Sequence, residues 1–177
     1  EVGRFDESRR FLERGVEQNP KDERVYRLRA QMELRAGKPE DAQRSLERGL
    51  EAITDKRART ELYSVLAELL IQQNKLAEVP SVIRSLRETA VSIGWADYFE
   101  AQLALRNEQW AQATRALELV RPHIGLSGRF GTRINLQLGQ CYQQLGDMER
   151  QLEAYRRAVK NDPWSDPARS GFAATLL

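Results

Sequence analysis

The sequence has little of the chemistry on which catalysis usually depends. Its 177 residues include one cysteine, Cys141, and one histidine, His123. One cysteine cannot form an intrachain disulfide or a cysteine metal cluster. The two residues could act only as a nucleophile and its base, yet Cys141 falls inside a predicted helix and is expected to be a small core residue. We therefore expect no enzymatic activity, no metal and no cofactor.

Long apolar runs, glycine and proline are also scarce. The longest apolar run, from Val65 to Ile71, is interrupted by Glu68, whereas a membrane-spanning helix needs roughly 18 to 20 apolar residues. Eleven glycines and six prolines are too few for a loop-rich all-β fold. Leucine, alanine, glutamate, arginine and glutamine are abundant and favour helices. The composition therefore predicts an all-α protein.

An excess of one charge is absent as well. The 28 basic and 26 acidic residues leave a formal net charge of +2, which favours neither nucleic acid nor an anionic membrane as partner. The stretch Ser127–Gly131 has two glycines and an arginine but no phosphate-loop lysine, and is predicted to be an extended connector. Because the chain starts at Glu1 without methionine, we expect a piece of a larger protein. The sequence does not identify the compartment, and the cytoplasm is only slightly favoured over the periplasm.

An internal repeat is present. Residues Leu12–Glu17 (LERGVE) return further along the chain as Leu46–Glu51 (LERGLE), and Gly3 and Gly37 are separated by the same number of positions. A later copy is also clear, and two copies between them are weaker. The residues that mark the later copy are Leu138, Gly139, Tyr142, Gly146, Tyr155, Ala158 and Pro163.

The pattern of each copy predicts a helix, a tight turn and a second helix. Gly3, Gly37 and Gly146 stand where the end of a helix needs a left-handed residue, and Asn74 is the usual substitute for glycine there. Asn19-Pro20 and Asp162-Pro163 are expected to end second helices, because proline lacks the backbone N–H that would extend them.

The period and these residues resemble the tetratricopeptide repeat (TPR), and we expect the chain to be a fragment of a larger, bacterial TPR protein. The resemblance implies a right-handed superhelical solenoid of antiparallel helix pairs, forming one array over residues 1–177. The expected units are a second helix at 1–20, repeats at 21–56, 57–90, 91–124 and 130–165, and a first helix at 166–177. The repeats at 57–90 and 91–124 are degenerate.

A helical wheel of residues 24–36 shows two apolar faces separated by a polar stripe. Val25, Leu28 and Met32 form one face, and the other consists of Tyr26, Ala30 and Leu34. We expect both faces to be buried between neighbouring helices. The stripe consists of Arg24, Arg27, Gln31 and Arg35, and similar stripes recur in the later first helices.

In the TPR family the first helices line a concave groove, and the resemblance implies that the stripes meet a ligand there. Arginine binds carboxylates through two parallel hydrogen bonds, and tryptophan and tyrosine would offer rigid flat surfaces. Two alternatives stay open: Trp95 as a core aromatic, and the arginines as a solvated face. The candidate partner-binding residues are Arg24, Arg27, Gln31, Arg35, Ser64, Glu68, Trp95, Tyr98, Gln102, Arg106, Arg133, Gln140 and Gln144.

The sequence thus predicts a non-catalytic interaction scaffold that binds a peptide or helix of a partner protein, with acidic groups near Arg24, Arg27 and Arg35. An alternative is the regulatory or targeting arm of an enzyme encoded elsewhere in a longer chain. Nucleic acid is not expected as a partner. Self-association is a further option, because apolar residues near both ends would lack stacking partners: Phe5, Phe11, Phe172, Leu176 and Leu177.

Overall fold

The structure, a computed structural model, describes residues 2–89, 94–123 and 128–176, except for the side chains of residues 2–6, 128 and 129. These residues form ten helices and no strand, and none of the helices is long and apolar enough to cross a membrane. The helices are α1 (Val2–Gln18), α2 (Glu23–Arg35), α3 (Pro39–Ala52), α4 (Lys56–Gln72), α5 (Val79–Thr89), α6 (Trp95–Arg106), α7 (Trp110–Val120), α8 (Gly128–Gln144), α9 (Met148–Asn161) and α10 (Asp166–Thr175).

The helices belong to two compact units, α1–α5 and α6–α10. In the N-terminal unit each helix packs on the next, and α2 also packs on α4. In the C-terminal unit each helix again packs on the next, and α8 also packs on α10. First helices therefore lie beside first helices within each unit, as helical repeats require. The repeat boundaries expected from the sequence stay a prediction.

Within the part of the chain that the structure describes, three helices begin with a side-chain cap. The carboxylates of Asp22, Asp55 and Asp147 accept hydrogen bonds from the backbone N–H groups of residues 24, 58 and 150, over 3.0, 2.9 and 3.0 Å. Such caps satisfy amide donors that have no partner inside the helix. The aspartates therefore fix where α2, α4 and α9 begin.

The tight turns confirm part of the prediction of where helices end. Gly37, Asn74 and Gly146 have φ angles of 70°, 59° and 72°, the left-handed region expected after a helix end. Glu108 takes the same conformation between α6 and α7, with φ of 55°, which was not predicted because glutamate rarely adopts it. Gly3 is not a turn residue, since it lies inside α1.

The predicted extended connector at Ser127–Gly131 is wrong over most of its length. Residues 128–131 form the first turn of α8, and Ser127 lies outside the described residues. Helix formation here carries Phe130 to within 5.8 Å of the Trp95 ring, centroid to centroid. Aromatic packing thus supports a helical turn that the two glycines would disfavour on their own.

In the core of the N-terminal unit, α2 and α4 pack closely against α3 at Gly49. A β-carbon at this position would lie 2.8 Å from Cγ of Tyr26 and 3.0 Å from Cδ1 of Leu62. The absence of a side chain therefore lets α2 and α4 approach α3 closely. Tyr26 and Ala30 are buried, which confirms this part of the predicted face of α2.

The opposite face of α2 differs from the expectation. Leu28 is 54% exposed rather than buried, because the helices that the structure describes do not cover it. Glu33 is buried in addition, with its carboxylate held by the Ser45 hydroxyl at 2.7 Å and by Arg29 Nε at 3.1 Å. A hydrogen-bonded ion pair can occupy a core position that an unpaired carboxylate could not.

In the C-terminal unit the ring of Tyr155 lies between two glycines. Hypothetical β-carbons at Gly139 and Gly171 would come within 2.7 and 2.5 Å of the Tyr155 ring. Ile134, Leu138 and Cys141 are fully buried beside them. This packing draws α8, α9 and α10 together.

Candidate functional site

The polar stripe of α2 lies next to α4, and one ion pair joins the two helices. Arg27 Nη1 is 3.3 Å from Glu61 Oε2, and both side chains remain about half exposed. An exposed pair of this kind contributes little stability. A ligand carboxylate could therefore compete with Glu61 for Arg27 at small cost.

Arg24 is already engaged with the cap of its own helix. Its Nε and Nη2 donate to the two carboxylate oxygens of Asp22 over 2.9 and 2.8 Å. The Arg24 guanidinium thereby lowers the pKa of the Asp22 carboxyl below its usual value. The arrangement serves the start of α2 first, and Arg24 is the least available of the three predicted arginines.

Gln31 and Arg35 border an open apolar cavity between α1 and α2, which we call the α1–α2 cavity. Its volume is about 730 Å³. Within the described residues neither side chain makes a hydrogen bond or ion pair, so both are available to a ligand. The cavity is lined by Glu7, Ser8, Phe11, Leu12, Leu28, Gln31, Met32, Arg35 and Ala36.

Sequence reasoning identified Phe11 as an apolar residue without a stacking partner, but it did not identify the apolar part of this cavity as a ligand site. Phe11 is 75% exposed and Leu28 is 54% exposed, whereas the wheel assigned Leu28 to a buried face. The repeat itself could have revealed the cavity. Leu46 and Leu62 stand one repeat after Leu12 and Leu28. Both are fully buried, because α2 packs on both α3 and α4. The described residues supply no such helix for the α1–α2 cavity.

On α4, the two candidates differ in availability. The Ser64 hydroxyl donates to the backbone carbonyl of Thr60 over 2.8 Å, a local bond common in helices. Glu68 is exposed. Its negative charge would repel an acidic group of a ligand that lies beside α4.

The aromatic candidates form a packed cluster in the C-terminal unit. Trp95, Tyr98 and Phe99 of α6 meet Phe130 of α8, with ring centroids 5.0–6.1 Å apart. Tyr98 is only 4% exposed, so it does not offer the free flat surface that was expected. Trp95 remains half-buried, with its ring engaged by three neighbours.

Gln102 is also buried and is paired with a residue that sequence reasoning missed. Its side-chain amide and that of Gln137 on α8 exchange two hydrogen bonds of 3.0 Å. Such a reciprocal pair satisfies a buried amide. Gln102 therefore serves to join α6 to α8 in this arrangement.

The remaining candidates of the C-terminal unit are exposed. Arg133 lies over the Tyr98 ring, with its guanidinium carbon 6.0 Å from the centroid, a favourable cation–π geometry. The exposed candidates of this unit are Arg106, Arg133, Gln140 and Gln144.

The cysteine and histidine considered for catalysis are in different environments. Cys141 is fully buried, and burial raises the pKa of its thiol, so the nucleophilic thiolate is disfavoured at neutral pH. His123 is exposed in the turn after α7. Among the described residues no group of three histidine, cysteine, aspartate or glutamate side chains could hold a metal ion.

Comparisons with known proteins agree with this architecture. Two family models, both described as tetratricopeptide repeat, match residues 1–58 and 132–163, together about half of the chain. No curated protein matched the sequence.

Several solved structures share the fold. A thermophilic TPR protein of Thermus thermophilus is 19% identical, with a TM-score of 0.71, and the match covers 99% of this chain and 92% of that protein. MamA of Desulfovibrio magneticus RS-1 is 22% identical, with a TM-score of 0.67 and coverage of 87% and 83%. YrrB, described as a TPR protein with an unusual peptide-binding site, is 16% identical, with a TM-score of 0.67 and coverage of 93% and 81%. Together these matches confirm the predicted all-α helical-repeat class.

Proposed function

The chain belongs to the tetratricopeptide-repeat family, and on that premise we propose that it binds a segment of a partner protein at the α1–α2 cavity and the adjoining polar stripe of α2. Proteins of this fold act in general as interaction scaffolds rather than as catalysts. The finer proposal names the place and the chemistry of the bound segment. It has an apolar anchor residue for the cavity and an acidic group for Arg35.

The observation that carries the proposal is the shared border between the apolar cavity and the predicted ligand residues. Gln31 and Arg35 lie on the edge of the same cavity that exposes Phe11 and Leu28. Interaction sites combine exposed apolar surface with polar groups at the rim in this way. One short segment can therefore reach both kinds of contact.

The energetics favour an apolar anchor over a purely ionic contact. Burial of apolar surface contributes about 25 cal/mol per Å², whereas exposed ion pairs contribute about 0–1 kcal/mol each. The anchor would therefore supply most of the affinity. Arg35 would set the orientation of the segment, because its guanidinium can hold a carboxylate through two parallel hydrogen bonds.

The fold neighbours support the class of ligand but not its identity. The description of YrrB gives that protein a peptide-binding site, and this chain shares its fold at low identity. The choice of the α1–α2 cavity rests on the side chains of this chain alone.

The test begins with peptides selected for binding to the whole chain from a random library. Titration calorimetry then compares the unaltered chain with Leu28→Glu, which places a charge in the cavity. The matched control is Met148→Glu, because Met148 is a similarly exposed apolar residue, 66% exposed, at the start of α9. We expect Leu28→Glu to weaken binding tenfold or more, about 1.4 kcal/mol, and Met148→Glu to leave it unchanged.

Arg35→Gln provides the second arm of the test. It should weaken peptides that carry an acidic residue and leave neutral selected peptides nearly unaffected, since only the former use the guanidinium charge. Equal affinities of all three variants for every selected peptide would contradict the proposal. The selected peptides would then bind elsewhere on the chain.

A further inference from the structure

A second surface of the N-terminal unit carries a concentration of arginine that the proposed function does not use. A cavity of about 290 Å³ opens among α1, α2 and α3, and we call it the arginine cavity. Arg9, Arg29, Arg44 and Arg48 line it together with two carboxylates, Glu33 and Asp41. The lining therefore has an excess of two positive charges. None of these residues lines the α1–α2 cavity.

Some of the guanidinium groups already have partners. Arg29 uses only its Nε, which bonds to Oε1 of the buried Glu33 at 3.1 Å. Arg44 is paired with Asp41. An arginine carries five N–H donors, so both residues keep donors to spare after these contacts.

Arg9 and Arg48 are freer still. Arg9 has a single loose pair with Glu13 at 3.4 Å, outside the cavity lining. Arg48 makes no hydrogen bond or ion pair within the described part of the chain and is exposed. Arg48 thus supplies the positive charge most available to a ligand.

The C-terminal unit holds the same cavity with a different charge. The spacing along the chain that relates Gly37 to Gly146 also relates Arg9 to Glu118 and Arg44 to Glu153. The equivalent cavity has a volume of about 320 Å³. It is lined by Glu118, Tyr142, Arg150, Glu153 and Arg157.

This second cavity shows that packing does not require the arginine excess. Its two arginines and two glutamates balance, and Tyr142 donates to Glu118 over 3.0 Å where the N-terminal unit has Glu33 and Arg9. The helices of the two units pack in the same order around each cavity. The extra positive charge at the arginine cavity therefore calls for an explanation beyond the fold.

We propose that the arginine cavity binds a phosphate monoester or inorganic phosphate, a small anion that carries about 1.5 to 2 negative charges at neutral pH. Its charge matches the excess of the lining, and guanidinium groups bind phosphate oxygens through pairs of parallel hydrogen bonds. The volume suits a small ligand, since it lies near the lower limit of about 300 Å³ for small-molecule pockets. Arg9 of α1, Arg29 of α2 and Arg48 of α3 would each contact the anion.

The test is titration calorimetry of the whole chain with inorganic phosphate and, separately, with N-acetylphosphoserine amide, at matched ionic strength. Arg48→Gln is the diagnostic variant, because Arg48 has no structural partner among the described residues. Arg150→Gln is the matched control: it removes the same charge from the equivalent cavity of the C-terminal unit, where Arg150 is exposed. Melting curves confirm that both variants fold.

We expect saturable binding of at least one of the two phosphates, weakened about tenfold by Arg48→Gln, the order expected for loss of one charge-assisted hydrogen bond. Arg150→Gln should change it less than twofold. Tighter binding of the phosphoserine derivative would identify a phosphorylated side chain as the source, and tighter binding of inorganic phosphate would identify a free anion. Absence of saturable binding to both, or equal weakening by the two variants, would overturn the proposal.

Discussion

Gly49 sets the distance at which α2 and α4 approach α3. Any side chain at this position would meet the Tyr26 ring, which is fully buried and has little room to move. Gly15, its equivalent in the preceding copy of the repeat, is less restricted, because a β-carbon there would lie 3.2 Å from Cγ1 of Val25. The two glycines therefore form a natural pair for comparison.

We expect Gly49→Ala to be less stable than Gly15→Ala by about 1–3 kcal/mol, the usual cost of overpacking a core. Both variants gain about 1 kcal/mol of helix propensity, so this gain cancels in the comparison. Urea unfolding of the two variants measures the difference. A Gly49→Ala variant as stable as Gly15→Ala would show that Tyr26 can shift freely.

At the scale of single residues, the sequence predicts conformations that depend on residue type. The left-handed turns at Gly37, Asn74 and Gly146 were predictable because glycine and asparagine tolerate positive φ. The same conformation at Glu108 was not, since glutamate rarely adopts positive φ and its residue type gives no signal for it. Gly3 shows the reverse error, because glycine permits a turn without requiring one.

Among the three side-chain caps described above, the cap of α2 makes the most hydrogen bonds. The Asp22 carboxylate accepts a hydrogen bond from the backbone N–H of Arg24 as well as two from its side chain. We expect Asp22→Ala to lower the free energy of unfolding by about 1 kcal/mol at neutral pH, the usual effect of removing a cap. Asp22→Asn should lose less stability than Asp22→Ala, because asparagine keeps the cap and loses only the exposed ion pair with Arg24.

The effect of Asp22→Ala should also depend on pH. The side-chain hydrogen bonds from Arg24 lower the pKa of Asp22 in the folded state. The folded protein therefore holds this proton less tightly than the unfolded chain, and the ionised carboxylate stabilises the fold above the unfolded pKa of about 3.9. This contribution is lost as the pH falls through the lower folded pKa. Chemical denaturation between pH 7 and pH 3 should show that the difference in free energy of unfolding between the unaltered chain and Asp22→Ala becomes smaller below about pH 4. A difference independent of pH would contradict this cause.

At the scale of whole helices, periodicity predicted one face of α2 and failed on the other. Tyr26 and Ala30 are buried as expected because α3 and α4 follow in the sequence and supply their partners. Leu28 is exposed, since a wheel shows which residues share a face but not whether another helix covers that face. Glu33 was missed because its burial depends on Ser45 and Arg29, whose contacts only the fold reveals.

The candidate site was predictable to a similar extent. The arginine and glutamine stripe of α2 is polar and accessible along much of its length, as the helical period requires. Tyr98 and Gln102 follow the same spacing but are buried, because Phe130 and Gln137 of α8 pack on them. Spacing along one helix cannot reveal a neighbour that comes from another repeat.

For the whole molecule, the division into two compact units implies that stability need not be uniform along the chain. In repeat proteins each element is stabilised mainly by its neighbours. Leu46→Ala in α3 and Leu138→Ala in α8 each remove a fully buried leucine, at a cost of about 2–5 kcal/mol.

We expect native-state hydrogen exchange to show each substitution mainly in its own unit. Leu46→Ala should speed the exchange of amides in α1–α5 more than in α6–α10, and Leu138→Ala should do the opposite. The two variants are controls for each other. Equal acceleration of all amides by both would mean that the chain unfolds as one cooperative whole.

The repeat boundaries and the alternative of an enzyme-regulating arm stay predictions at this scale. The location of the partner-binding site is a more specific matter. Family membership alone would allow any first helix to participate, whereas our proposal places the site at α1 and α2, where the apolar residues Phe11 and Leu28 are exposed beside Gln31 and Arg35. The α1–α2 cavity is the feature that distinguishes these two views.

The most direct test is a hydrogen–deuterium exchange footprint of the whole chain with its tightest selected peptide. We predict slower exchange in α1 and α2, around Phe11, Leu28 and Arg35, and no change in α9 and α10. The footprint should vanish with Leu28→Glu and persist with Met148→Glu. Protection confined to α6–α10, or a footprint unaltered by Leu28→Glu, would contradict the proposed binding site.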